Sequence, residues 1–396
     1  MHPAGESGRR FRGIFILKWL TAALIFFVAG FTRCTDRKQN AGDFFAWIPA
    51  SVTDSVYLNS RNPYSPAKRE LGRYLFYDTR LSVNNTRSCA SCHDPRFSFA
   101  DNYNRSIGAL GDLHQRNSRP LINLVFNRYL TGGDSSVQDP ESQMDRPLLN
   151  EHPVEMGVNG NAAAILERLK EDTRYRVLFR EAYPADTSSF TLPHIRMAIA
   201  DFIKTIISMD TPFDRYRSDS LRYPLSEAAI RGKQLFFSDR LACYQCHNGV
   251  NFSQPIFKTA DGKTDFYFNT GLYNIDGKGG YPGTDHGLAA STGNPADEGK
   301  FRIPLLRNLL FTAPYFHDGS AQTLEEVIRV YEEGGRQMVK GPFAGDGRTN
   351  PYKHPLIKGF ILTDSERKDL IHFLYSLTDS TVINKKEYEN PFRYTD

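Results

Sequence analysis

The stretches "RELGRYLFYDTRLS" (69–82), running on to "CASCH" (89–93), and "AIRGKQLFFSDRLACYQCH" (229–247) are two copies of one pattern. Each is a short helical pattern, with a glycine at Gly72 or Gly232, that leads into Cys-x-x-Cys-His. In such a unit on one helical turn, the two thiols reach the two vinyl groups of a single haem and the adjacent histidine supplies an axial nitrogen to its iron. Cys89, Cys92 and His93 form one such unit; Cys243, Cys246 and His247 form the other. The chain is therefore expected to carry two covalently bound haem c groups. A zinc ribbon pairs its cysteine knuckles over ~15–20 residues rather than roughly 150, and a thioredoxin-type site needs neither the histidine nor the repeat. The gap from Gly72 to Cys89 exceeds that from Gly232 to Cys243, so the connecting loops have diverged.

With 396 residues, 40% of them apolar, the chain can bury substantial cores in two or three domains. Lys and Arg total 49 against 45 Asp and Glu, and a balance of +4 is too small to argue for a nucleic-acid partner. Residues 1–35 read as a signal peptide, lipoprotein signal or membrane anchor. Arg9, Arg10 and Arg12 precede an apolar stretch from Ile14 to Phe31 that only Lys18 breaks. The run after Lys18 is short for a span of ~20 residues but suits a signal core of ~7–15. Cys34, the one cysteine outside the two motifs, follows at once and could carry lipid, although Arg33 stands where such signals have a small residue. Lipoprotein, uncleaved anchor and ordinary cleavage all put the bulk of the chain outside the cytoplasmic membrane.

Apolar spacings of three and four predict helices over 162–183 and 192–209. "DTPFDRYRSD" (210–219), with Pro212, reads as an interdomain linker, and a helix restarts with Ser226 as its cap. Residues 276–300 show no period and read as loop. Thr323 with Glu326 three residues on marks a helix ending near Gly334, and a final amphipathic helix covers 363–377. The expectation is a mainly α fold with little strand: two tandem cytochrome c-type domains with long loops. An N-terminal domain covers 55–215, including a helical extension over 160–209, and a C-terminal one covers 216–385.

Together, "CASCHDPRFSFAD", "RNSRPLINLVFN", "HPVEMG", "TPFDRY", "LFFSDRLACYQCHNG" and "LRNLLFTAPYFHDGSAQTLEEVIRVY" resemble the bacterial diheme cytochrome c peroxidase family, including its MauG-type members, over roughly residues 55–380. The resemblance implies a peroxidatic haem in the N-terminal domain, an electron-transferring haem in the C-terminal one and a calcium ion between them. It implies a periplasmic enzyme that takes hydrogen peroxide as substrate and electrons from a small cytochrome c or copper protein. A homodimer is a further family-level expectation. Glu155 matches the family's acid/base and Gln143 a second polar residue of the same pocket. Asn117, Thr312 and Pro314 match the calcium ligands. His317 matches a histidine near the interface, with a structural or haem-tuning role. His152, His194, His286, His354 and His372 fit no metal spacing.

Three departures from the family pattern matter. The histidine that blocks the peroxidatic iron of classical members in the fully oxidised state falls at Ala109, so this haem is expected to be open; His114 is the nearest substitute. The methionine ligand of the second haem falls at Tyr331, as in MauG-type members, and a phenolate on ferric iron favours higher oxidation states. The tryptophan between the haems falls at Gly132 or Gly133, leaving Tyr129 as a candidate relay. The alternatives to a peroxidase are a MauG-type oxidase acting on side chains of a partner protein, and a non-enzymatic diheme electron carrier.

Overall fold

Two close helix crossings organise the computed structural model, which describes residues 48–57, 62–258, 262, 265–283 and 285–394. The principal helices are α1 (Pro66–Tyr77), α2 (Ala162–Glu171), α3 (Thr173–Ala182), α4 (Leu192–Lys204), α5 (Pro212–Ser218), α6 (Glu227–Phe236), α7 (Leu324–Glu332) and α8 (Asp364–Tyr375). Shorter helical turns include Pro140–Gln143, Asp145–Leu149 and Cys243–Cys246. Two antiparallel ladders of two residues per strand pair Tyr267–Phe268 with Phe301–Arg302 and Gln337–Met338 with Gly345–Asp346. The chain is thus mainly helical, as its periodicity predicts.

The glycines of the sequence repeat sit at the crossings. α1 crosses α4 so closely that a Cβ on Gly72 would lie 1.9 Å from the Ala198 carbonyl oxygen, and α6 crosses α8 with the same 1.9 Å between a Cβ on Gly232 and the Asp369 oxygen. Any larger residue would push the helices apart. Around the first crossing Leu71, Leu75, Phe76, Ile195, Ile199 and Phe202 are buried; around the second, Phe236, Leu370, Phe373 and Leu374. Each such side chain contributes about 1.5–3 kcal/mol by leaving water.

The likeness extends beyond the helices. Asn123 and Asn308 both adopt left-handed backbone (φ 56° and 61°), which asparagine tolerates well. Asn123 N–H donates to Ile206 O (2.8 Å) and its Oδ1 accepts from Ser208 N–H (2.8 Å), just past α4. Asn308 repeats this past α8, on Leu377 O (3.1 Å) and Asp379 N–H (2.7 Å).

Several sequence expectations need correction. The helix expected over 162–183 breaks at Asp172, whose carboxylate accepts from Arg174 N–H (2.9 Å) and caps α3. The one expected to reach residue 209 ends at Lys204. The supposed linker 210–219 is mostly α5: Pro212 opens it, Thr211 and Asp214 form its capping box, and Phe213 is buried in the second core. The C-terminal segment returns to the first half. Val382 and Tyr388 are buried in the first core, where the Tyr388 hydroxyl donates to Thr205 O (2.6 Å). The readings of residues 1–35 and of Cys34 lie outside the described residues; among those described, no helix is long and apolar enough to cross a membrane.

Candidate haem sites

Both Cys-x-x-Cys-His units form a single tight turn, closed by His93 N–H on Cys89 O (3.0 Å) and by His247 N–H on Cys243 O (2.9 Å). Each histidine is then fixed by the loop that follows. His93 Nδ1 lies 2.8 Å from Phe99 O and His247 Nδ1 2.9 Å from Phe252 O, with both phenylalanines in left-handed backbone. A carbonyl can only accept, so Nδ1 carries the proton and the Nε2 lone pair is left for a metal. Burial lowers both imidazole pKa values, that of His247 to about 4, which keeps the rings neutral. Burial also pushes the Cys89 and Cys243 thiols up to about 12, and the Cys92 and Cys246 thiols to about 11. None of the four cysteines is in a disulfide.

The surroundings of the two units differ. Near Cys89 and Cys92, a hairpin over 106–114, bridged at Ile107 and Leu113, packs against residues 154–155. A Cβ on Gly108 would meet Val154 O at 1.9 Å, and Ala109 N–H donates to Glu155 O (2.7 Å). The Ala109 carbonyl in turn accepts from Asn84 Nδ2 (2.6 Å). Glu155 is held from the other side too, because Met156 and Val158 N–H donate to Pro147 O and Leu148 O (both 3.0 Å) in the turn that follows Gln143. Burial raises the Glu155 pKa to about 7, partly offset by the Arg146 guanidinium. Its negative charge adds to the rise of the Cys89 and Cys92 thiol pKa values, so the carboxyl lies within electrostatic reach of that cysteine pair. Gln143 Oε1 and His114 Nε2 are buried without a hydrogen-bond partner among the described residues.

The second unit opens into a cavity lined mainly by aliphatic and aromatic side chains, together with Cys243, Cys246, His247, Tyr331, His317 and three arginines, Arg116, Arg119 and Arg302. Burial raises the Tyr331 phenol pKa well above its ordinary value, and the two cysteine sulfurs add to this. His317 stacks on Phe301 with 3.7 Å between ring centres, and burial lowers its pKa to about 4. Asn117 lies between the halves: its N–H donates to His317 O (2.7 Å) and its Nδ2 to Pro314 O (2.6 Å). Thr312 lines the same cavity. Tyr129 packs instead on Phe266 and Tyr267, with ring centres 5.5 and 5.7 Å away.

The residues present fit a covalently held haem in each half: two neutral thiols and a neutral imidazole with Nε2 free, beside an apolar cavity in the second case. An observation that sequence reasoning missed strengthens the fit. Arg119 Nη1 and Arg302 Nε are buried without a hydrogen-bond partner among the described residues, and both side chains line the cavity. Porphyrin propionates are anions of the kind such guanidiniums take up. No periodicity or motif distinguishes a buried arginine from a surface one. For calcium, the oxygens of Asn117, Thr312 and Pro314 are all neutral, and the Asn117 amide must turn its oxygen toward the ion.

Comparison with known proteins gives a consistent result. The family model for di-haem cytochrome c peroxidase matches residues 66–221. Cytochrome-c peroxidase IdrP1 of Denitromonas iodatirespirans is 33% identical over 363 residues, covering 87% of this chain and 90% of its own. Methylamine utilization protein MauG of Methylorubrum extorquens is 29% identical, covering 82% of each chain. The solved structure of a MauG-like protein associated with microbial copper homeostasis superimposes with a TM-score of 0.81 at 41% identity, over 85% of this chain and 97% of that one.

Proposed function

The chain belongs to the di-haem cytochrome c peroxidase family and is an oxidoreductase of the peroxidase type, and from that premise we propose that it reduces hydrogen peroxide to water in the periplasm. Its electrons come from a small cytochrome c or copper protein. The observation that carries this reading is the backbone contact between Ala109 and Glu155, which brings a residue unable to ligate iron next to one bearing a half-buried carboxyl. Cys89 and Cys92 would hold a haem whose iron, when bound, supplies a site for peroxide, and His93 would offer that iron its free Nε2. Glu155 takes a proton from the inner peroxide oxygen and returns it to the outer one, and a pKa of about 7 suits a group that must do both near neutrality. We assign Gln143, whose Oε1 has no hydrogen-bond partner among the described residues, as the second polar residue of that pocket. Electrons enter through the His247 site, and Asn117, Thr312 and Pro314 hold calcium where the halves meet.

A second reading, a MauG-type oxidase acting on side chains of a partner protein, is favoured by Tyr331, which shares its cavity with His247, and by the likeness to the MauG-like structure. Stopped-flow mixing of the fully oxidised holoprotein with hydrogen peroxide, with and without a reduced small cytochrome, separates the two. A peroxidase turns over and oxidises the cytochrome. The MauG-type oxidase retains its oxidising equivalents until a protein substrate is supplied, and no reaction with peroxide at all contradicts both.

A further inference from the structure

Arg119 and Arg302 each carry a buried guanidinium nitrogen with no hydrogen-bond partner among the described residues. Arg302 is 7% exposed; its Nη1 donates to the Ile303 carbonyl (3.4 Å), and its Nε has no partner among the described residues. Arg119 Nη2 donates to Arg302 O (3.2 Å), and its Nη1 has no partner. Neither guanidinium forms an ion pair among the described residues. Burial disfavours the charge on Arg302, whose pKa falls to about 10. Like charges held together out of water need an anion. The carboxylates nearby are committed elsewhere: both oxygens of Asp285 accept from Arg116 (2.8 and 2.6 Å), and Asp134 pairs with Arg146.

The location narrows the choice of anion. Both residues line the cavity that holds Cys243, Cys246 and His247. Arg119 also lies next to the first site, because its chain neighbour Ser118 donates its hydroxyl to Cys92 O (2.6 Å). A Cβ on Gly132, one of the two positions that stand for the family's tryptophan, would meet Arg116 Nη1 at 3.2 Å and Arg119 Nη2 at 3.4 Å. Guanidinium groups occupy the space beside that position.

We propose that Arg119 and Arg302 form a carboxylate clamp that receives the propionates of the porphyrin attached at Cys243 and Cys246, and that this clamp raises the reduction potential of that haem. The proposal rests on the functional reading above. A planar fork of N–H donors matches a carboxylate in charge and geometry, and a porphyrin brings two carboxylates on one edge. Positive charge beside the haem favours the reduced iron, and a propionate stripped of its counter-ion disfavours it.

The test is a spectroelectrochemical titration of holoprotein, with haem stoichiometry checked by whole-protein mass spectrometry. Arg119→Gln and Arg302→Gln should each favour the oxidised C-terminal haem by about tenfold, which is ~59 mV for one electron. Arg302→Lys should restore most of that shift. Should the glutamine variants lose haem, resonance Raman of the wild type decides, since its propionate bending bands report charged partners directly. Haem present with potentials unmoved, or with Raman bands typical of solvated propionates, overturns the clamp alone. A wild-type potential that responds to added chloride or acetate points to a free anion in the clamp and overturns it as well. No haem at Cys243 and Cys246 overturns the clamp together with the functional reading.

Discussion

The two halves hold their histidines in nearly the same way and surround them with opposite chemistry. Gly72 and Gly232 allow the same helix approach, and Phe99 O and Phe252 O fix the same imidazole nitrogen. Beyond the proximal side the likeness stops. The first site meets Ala109 and a carboxyl whose pKa is raised to about 7, whereas the second meets a half-buried phenol and two guanidiniums without an ion pair among the described residues. The lesson is that helix crossings and proximal loops tolerate little change, because a single Cβ would collide with backbone, while the loops over the other face are free to specialise.

Breaking the difference at Ala109 should have the largest effect. Ala109→His restores the side chain that blocks the site in classical members; the fully oxidised variant is expected to lose its reaction with peroxide and to regain it after one-electron reduction, as read by stopped-flow absorbance. Glu155→Gln should slow the reaction with peroxide by about 10²–10³-fold, while Tyr331→Phe leaves that step within a few-fold. If the two variants were equally slow, the division of labour between the sites would be wrong.

The likeness can be tested in the same spirit. Gly72→Ala and Gly232→Ala should each cost about 1–3 kcal/mol or more in denaturant unfolding, since backbone must move to admit the methyl group. A mild effect at one and a severe one at the other would show that the crossings are not equivalent. The smallest effect is in pH. With the Glu155 carboxyl raised to about 7, its base form is lost as pH falls, so the rate with peroxide should drop about tenfold per unit below that value and level off above it. Glu155→Gln should flatten the profile.

Much of this was legible in the sequence, for identifiable reasons. Cys-x-x-Cys-His is a local motif whose chemistry is set by spacing, and the capping box at Thr323/Glu326 marks the start of α7 directly. The misreadings came where one residue type serves two purposes. Pro212 read as a breaker but opens α5, and Asp172 sits inside a helical period yet caps the next helix. The return of Tyr388 to the first core and the burial of Arg119 and Arg302 are tertiary facts that no window of sequence records.

The central claim is that the iron at His93 has a face that no side chain ligates in the resting state. Electron paramagnetic resonance of the fully ferric holoprotein addresses this without added reagents. The account predicts one high-spin signal, lost selectively when Cys89 and Cys92 are replaced, beside one low-spin signal. Two low-spin signals, with none high-spin, would contradict it.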